Sequence, residues 1–160
     1  MTPIFQAAAI AALTLGTGAA TVSFLSPDIP DMVVPEADWR AGDALDGRVF
    51  AVEANLSASD TPETDTLLFR DGMFQSVDCE NYCAFGWTPY QTWTQGETVH
   101  FTVTTQCPTA PHTVVWHGRV TGDDLTVEMS WTTRRWYWTH QITGTGGGQA
   151  VSLTQGTVSG

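Results

Sequence analysis

The stretch Leu67-Leu-Phe-Arg-Asp-Gly-Met-Phe-Gln-Ser76 decides the fold. Asp71-Gly72 supplies the two residues that accept positive φ in a two-residue hairpin turn, and apolar residues alternate on both sides of it. A turn at that position sets Phe69 opposite Phe74 on one face of a ribbon. The period is two, so the local structure is strand.

The same reasoning extends in both directions along the chain. Gln95-Gly96 places Tyr90 opposite Phe101 and Thr92 opposite Val99. Gly122-Asp123 pairs Val120 with Leu125, Trp116 with Met129 and Val114 with Trp131. A tight turn at Thr133-Arg134 pairs Trp131 with Trp136, Met129 with Trp138, Val127 with His140 and Leu125 with Ile142. In each hairpin the apolar set of one strand meets that of the next, and Thr, Ser, Gln, Glu and Arg take the other face. Turn chemistry and alternation agree, as they do in a consistent fold. With Arg48–Leu56 as a first strand there are about eight strands at regular spacing. Nothing in this region reads as a long helix. A meander of this kind buries one face and must protect its edges, and closure into an up-and-down barrel does both. The expected fold is all-β: a single eight-stranded antiparallel barrel, in preference to a two-sheet sandwich.

Charge is confined to the middle of the chain. Six arginines, no lysine and 17 carboxylates give a net charge of −11 over 160 residues, and all of these lie between Asp28 and Arg135. So acidic a chain has no basic footprint for nucleic acid or an anionic membrane. Residues 1–20 have the length and small-residue character of a secretory signal peptide ending near Gly18-Ala19-Ala20; retained to Leu25, the segment would be an anchor. Residues 21–44 read as an acidic, proline-containing spacer, 45–143 as the barrel, and 144–160 as a flexible Gly/Ser/Thr tail. The expected location is the periplasm or the exterior, with an anchored form facing the periplasm as the alternative. Self-repulsion favours a monomer.

The inward phase collects Phe50, Val52, Phe69, Phe74, Tyr90, Val99, Phe101, Val103, Trp116, Met129, Trp131, Trp136 and Trp138. Eight strands enclose room for packed side chains or for one small ligand. Either these residues fill the barrel, or the aromatic ones wall a cavity. On the second reading Tyr90, Phe101, Trp116, Trp131, Trp136 and Trp138 bind a small apolar or aromatic ligand, with His140 as a polar handle. Trp131, Trp136 and Trp138 would stand near one mouth. Arg134 and Arg135 beside them read as balancing local acidity rather than receiving an anionic ligand group.

The export segment, the meander and the strand Trp116-His-Gly118-Arg-Val120 resemble lipocalin/avidin-like small barrels. Phe69-Arg-Asp71-Gly72-Met-Phe74-Gln-Ser76-Val-Asp-Cys79, followed by Tyr82, Phe85-Gly86 and Tyr90, is similar to an uncharacterised exported bacterial family with an F-x-D-G-x-F-x-S-x-x-C motif. The resemblance implies compartment and fold and assigns no chemistry. Cys83 and Cys107 are additions to that pattern.

Cys79, Cys83 and Cys107 allow one disulfide and one free thiol in an oxidising compartment, with three pairings. Cys83–Cys107 is favoured over Cys79–Cys107. No metal or other cofactor is expected, although two alternatives exist. Cys79, Cys83, Cys107 and His112 form a Cys3His set with loose spacing. His117 faces Glu128 across the Gly122-Asp123 hairpin, and His100 joins them if the Cys107–Pro111 connection closes about Pro108-Thr109. No nucleophile elbow, phosphate loop or metalloprotease motif occurs, so the chain reads as non-enzymatic. Asp123-Asp124 is turn chemistry. The expected function is binding of a small hydrophobic or aromatic ligand. Its alternatives are a cell-envelope interaction or inhibitor-like module acting through its loops and exposed Trp87 and Trp93, and a metal-binding protein.

Overall fold

A computed structural model describes Met32 and residues 34–152. The signal-peptide or anchor segment therefore lies outside the described residues, as do most of the residues before Pro35. Among those described, no helix is long and apolar enough to cross a membrane. The fold is an antiparallel barrel, nearly closed, of ten strands. These are β1 (Arg40–Ala41), β2 (Val49–Leu56), β3 (Glu63–Arg70), β4 (Met73–Ser76), β5 (Thr88–Pro89), β6 (Gln91–Gln95), β7 (Thr98–Gln106), β8 (His112–Thr121), β9 (Asp124–Arg135) and β10 (Trp138–Ala150). One short helix, α1 (Val77–Cys83), separates β4 from β5. Spatial order runs β1-β6-β7-β8-β9-β10-β2-β3-β4-β5. The expected count of eight is corrected to ten, because two-residue strands β1 and β5 flank the seam between the ends of the sheet.

Tyr90 stitches that seam. Its N–H donates to the Gly72 carbonyl at 3.2 Å, and its carbonyl accepts from the Gly42 N–H at 2.8 Å. The phenol donates to Asp46 Oδ1 at 2.9 Å, and Asp46 also accepts from the Gly72 N–H. Asp71 and Gly72 take φ of 54° and 74°, which is why this turn needs those residue types.

Two hairpins have the expected registers. Phe69 faces Phe74, and Val120, Trp116 and Val114 face Leu125, Met129 and Trp131. Two others shift. The β6–β7 turn is Gly96-Glu97, so Thr92 pairs with Phe101 and Thr94 with Val99. Glycine occupies the first turn position at φ 60°, and a shift of one pair leaves each residue on its expected face. The β9–β10 turn is Trp136-Tyr137 rather than Thr133-Arg134, so Trp131 faces Ile142 and Met129 faces Gly144. Residues 144–150, expected as tail, continue β10; all of them pair with β2, and 144–149 pair with β9 as well. Glycine hides the alternation of this strand while letting its backbone lie close to β2.

One half of the barrel is solid. Phe50, Phe69, Phe74, Phe101, Leu45, Leu67, Val120 and Leu125 are buried there with Tyr90. Phe69 sits centrally, 5.0–6.0 Å from the rings of Phe50, Phe74, Tyr90 and Phe101.

Candidate functional site: a cavity at the open end

The other half is not filled. Above Val52, Leu67, Val127 and Trp116 lies a cavity of about 660 Å³, opening where β2, β8, β9 and β10 reach their upper ends. Leu56, Met129, Trp131 and Ile142 continue the apolar wall, and Ala54 and Gly144 leave room where larger side chains would close it. Helix α1 contributes Cys79, Asn81 and Tyr82, while Glu63, Asp65 and Asp78 form an acidic rim. The size falls within the ~300–1,000 Å³ of small-molecule sites.

Local chemistry explains why α1 forms here. Ser76 caps it, accepting from the Cys79 N–H at 3.1 Å and donating to Asp65 Oδ2 at 2.6 Å. Asp65 also accepts from the Asp78 N–H, and acidic residues in the first turn suit the helix dipole. Ala84 ends the helix at φ 49°, with its N–H on the Glu80 carbonyl. Cys83 and Cys107 are joined by a disulfide, which ties the end of α1 to the connection after β7.

Ring contacts order the mouth. Tyr82 meets Trp131 edge-on at 5.2 Å and His112 at 5.9 Å, and His112 lies 5.3 Å from Trp131. The Thr133 hydroxyl sits 2.9 Å from His112 Nδ1 and accepts from Trp131 Nε1 at 3.3 Å. Trp116 Nε1 donates to Thr105 Oγ1, so its buried donor is satisfied. Cys79 is free and buried, and burial pushes its thiol up to about 11. Desolvation, then the neighbouring charges of Asp65 and Glu63, raises the Asp78 carboxyl above the usual range.

The residues expected to bind a ligand separate by height in the barrel. Trp116 and Trp131 line the cavity. Tyr90 and Phe101 share their phase but lie in the filled half. Trp136, Trp138 and His140 stand at or beside the β9–β10 tip, with Trp136 95% and Trp138 38% exposed. Tyr82 was missed because α1 is too short to announce itself by periodicity; Ser76 followed by Asp78 and Glu80 was its available signal.

Neither metal-ligand set assembles. The disulfide takes Cys83 and Cys107 from the Cys79–His112 set. His117 does face Glu128, but Thr102 faces His117, and His100 faces Arg119. The connection after β7 closes one pair further along than a turn centred on Pro108-Thr109 allows. Among the described residues no group of three or more His, Cys, Asp or Glu is placed to hold a metal ion.

His100 and His117 instead join an aromatic cluster on the outer face. Their rings are nearly parallel at 6.2 Å, Trp93 covers His100 at 4.6 Å, and Trp39 meets both Trp93 and His117. Trp93 belongs to strand β6 rather than to a loop, whereas Trp87, in the connection between α1 and β5, receives the Arg70 guanidinium on its face. His100 Nδ1 and His117 Nε2 are buried without a hydrogen-bond partner. Burial lowers both imidazoles below the ordinary histidine range. The positive charges of His117 and Arg119 add to this at His100; at His117 Glu128 opposes it and Arg119 reinforces it. Below about pH 6.5 the unfolded chain takes up protons that the folded chain refuses, so stability falls with pH in that window. Urea midpoints should therefore drop between about pH 7 and 5, and less so in a His100→Gln/His117→Gln variant. Equal pH slopes in the two proteins would refute the assignment.

Comparison of the chain with protein-family models, curated proteins and solved structures finds no match to any of them.

Proposed function

We propose that this barrel is an exported, monomeric, non-enzymatic binding protein for a small hydrophobic or aromatic ligand. The single observation that carries the reading is the apolar cavity walled by Trp116, Trp131, Met129, Leu56 and Ile142. A cup with one filled end and one open mouth is also the architecture that a lipocalin/avidin-like barrel would use. Three of the reactive groups around the cavity are otherwise engaged, which supports binding rather than catalysis. Cys79 is held protonated, Asp65 is spent on the helix cap, and His112 is hydrogen-bonded to Thr133. The Cys83–Cys107 bridge supports an oxidising compartment.

The test is a titration with a naphthalene-sulfonate probe, followed by its displacement with a panel of fatty acids and aromatic compounds. Binding should be saturable, and Ala54→Phe, which fills the cavity from the β2 wall, should weaken it about tenfold or more while the melting transition survives. Undiminished binding by a folded Ala54→Phe variant, or none by the wild type, would sink the reading.

A further inference from the structure

We propose that the Trp136–Trp138 tip seats the mouth of the barrel on an anionic lipid bilayer. The β9–β10 hairpin outruns its neighbours. β8 begins opposite Thr133, and β2 ends opposite Gly144. Past Arg134 and its partner Thr139 the ribbon stands alone, its tip roughly 20 Å beyond the end of β2 and about 10 Å beyond the start of β8 at ~3.3 Å per residue.

The tip carries Arg134, Arg135, Trp136, Tyr137 and Trp138, with the three rings packed in sequence at 5.0 and 6.2 Å. Exposed large hydrophobic residues among those described are Tyr82, Trp136, Tyr137, Trp138 and Val151. All but Val151 lie at the end where the cavity opens, so the apolar surface is concentrated at the mouth. Tryptophan and tyrosine with adjoining arginine is the side-chain set that settles at the headgroup level of a bilayer, rings inward and guanidinium groups toward phosphate. Neither arginine has an acidic partner among the described residues; the ion pairs there are Arg48–Asp123 and Arg70–Asp71, at the far end.

Two objections are answered by magnitude. The chain is strongly acidic, and Glu63, Asp65 and Asp78 border the same mouth. Those carboxylates sit well behind the tip, however, and a Debye length of about 8 Å screens them from a surface that the arginines touch directly. A protein partner is the other candidate for such a tip, but specific protein interfaces need about 800 Å² from each side. A two-residue turn and its flanks offer much less, whereas lipid asks only for rings and guanidinium groups.

Docking of this kind would face the cavity toward the phase in which an apolar ligand dissolves. It goes beyond the binding reading and is tested separately from it. The full chain is mixed with vesicles of phosphatidylcholine alone or with phosphatidylglycerol, and partition is read by co-sedimentation and by tryptophan emission. Whatever residues outside the described region contribute is common to wild type and variants. Trp136→Ala/Trp138→Ala should lower partition about tenfold or more on both vesicles. Arg134→Gln/Arg135→Gln should remove the gain from phosphatidylglycerol, worth about fivefold per arginine. Both variants should melt as the wild type does and keep its probe affinity without vesicles. Partition that is absent, or that ignores the tip substitutions, overturns the proposal and leaves the cavity reading standing.

Discussion

Phe69→Ala is expected to cost about 3–5 kcal/mol, a large part of the ~5–15 kcal/mol that holds a typical domain together. Phe69 is 2% exposed and makes ring contacts with residues from four other parts of the chain: Phe50, Phe74, Tyr90 and Phe101. Truncation leaves a void that those rings cannot close, because each is fixed on a different strand or at the seam. The lost edge-to-face contacts add to the lost burial. Tyr90 suffers indirectly, since its ring loses support while its hydroxyl stays bound to Asp46 and the Leu45 N–H. Urea unfolding followed by circular dichroism measures the effect, with Trp136→Ala as a control expected within about 0.5 kcal/mol of wild type. A loss below about 1 kcal/mol for Phe69→Ala would mean that the solid half is not packed as described.

Gly148→Ala is expected to destabilise by about 1–3 kcal/mol, and the Gly146→Ala/Gly148→Ala pair by more. At an ordinary glycine the sign would be the reverse, because alanine restricts the unfolded chain and stabilises by about 0.4–1 kcal/mol where the backbone permits it. Here the obstacle is main chain. A Cβ on Gly148 would strike the Ala51 carbonyl and come within 3.0 Å of Val52 Cα; one on Gly146 would strike the Glu53 carbonyl and sit 2.8 Å from Ala54 Cα. Neither obstacle can rotate away, so β10 must part from β2, the pairing that joins the C-terminal strands to the N-terminal ones within the sheet. Gly147 points to the other face, where the nearest atom to a new Cβ is the Leu125 carbonyl at 3.2 Å. Gly147→Ala should therefore be much milder. Indistinguishable urea midpoints for Gly147→Ala and Gly148→Ala would contradict the close approach at this junction.

The parts of the fold legible in the sequence are those whose information is local. Asp71-Gly72 and Gly122-Asp123 carry their own turn chemistry, and the apolar phases on either side confirm the registers. The Trp136-Tyr137 turn has no glycine or asparagine, and its register depends on where Gly144, Gly146, Gly147 and Gly148 meet β2, an encounter between distant parts of the chain. Those glycines have no side chains to alternate, so a strand looked like a tail. The seam strands β1 and β5 are too short to show a pattern. At the cavity, phase correctly turned Trp116 and Trp131 inward. It was silent on height, which depends on the register of every neighbouring strand, and so it also gathered Tyr90 and Phe101 from the filled half. The acidic rim and Tyr82 come together only because α1 folds across the mouth.

The division into a solid half and a hollow half also bears on how such a molecule can diversify. Substitutions among Phe50, Phe69, Phe74 and Phe101 strike the packing that keeps the chain folded, so drift there is heavily penalised. Changes at Ala54, Leu56, Met129 or Ile142 alter the shape of an existing void and disturb few close contacts. Foldability and the shape of the chamber are thus encoded in separate sets of residues, stacked one above the other. A lineage built on this plan can reshape the upper chamber while inheriting its foundation unchanged.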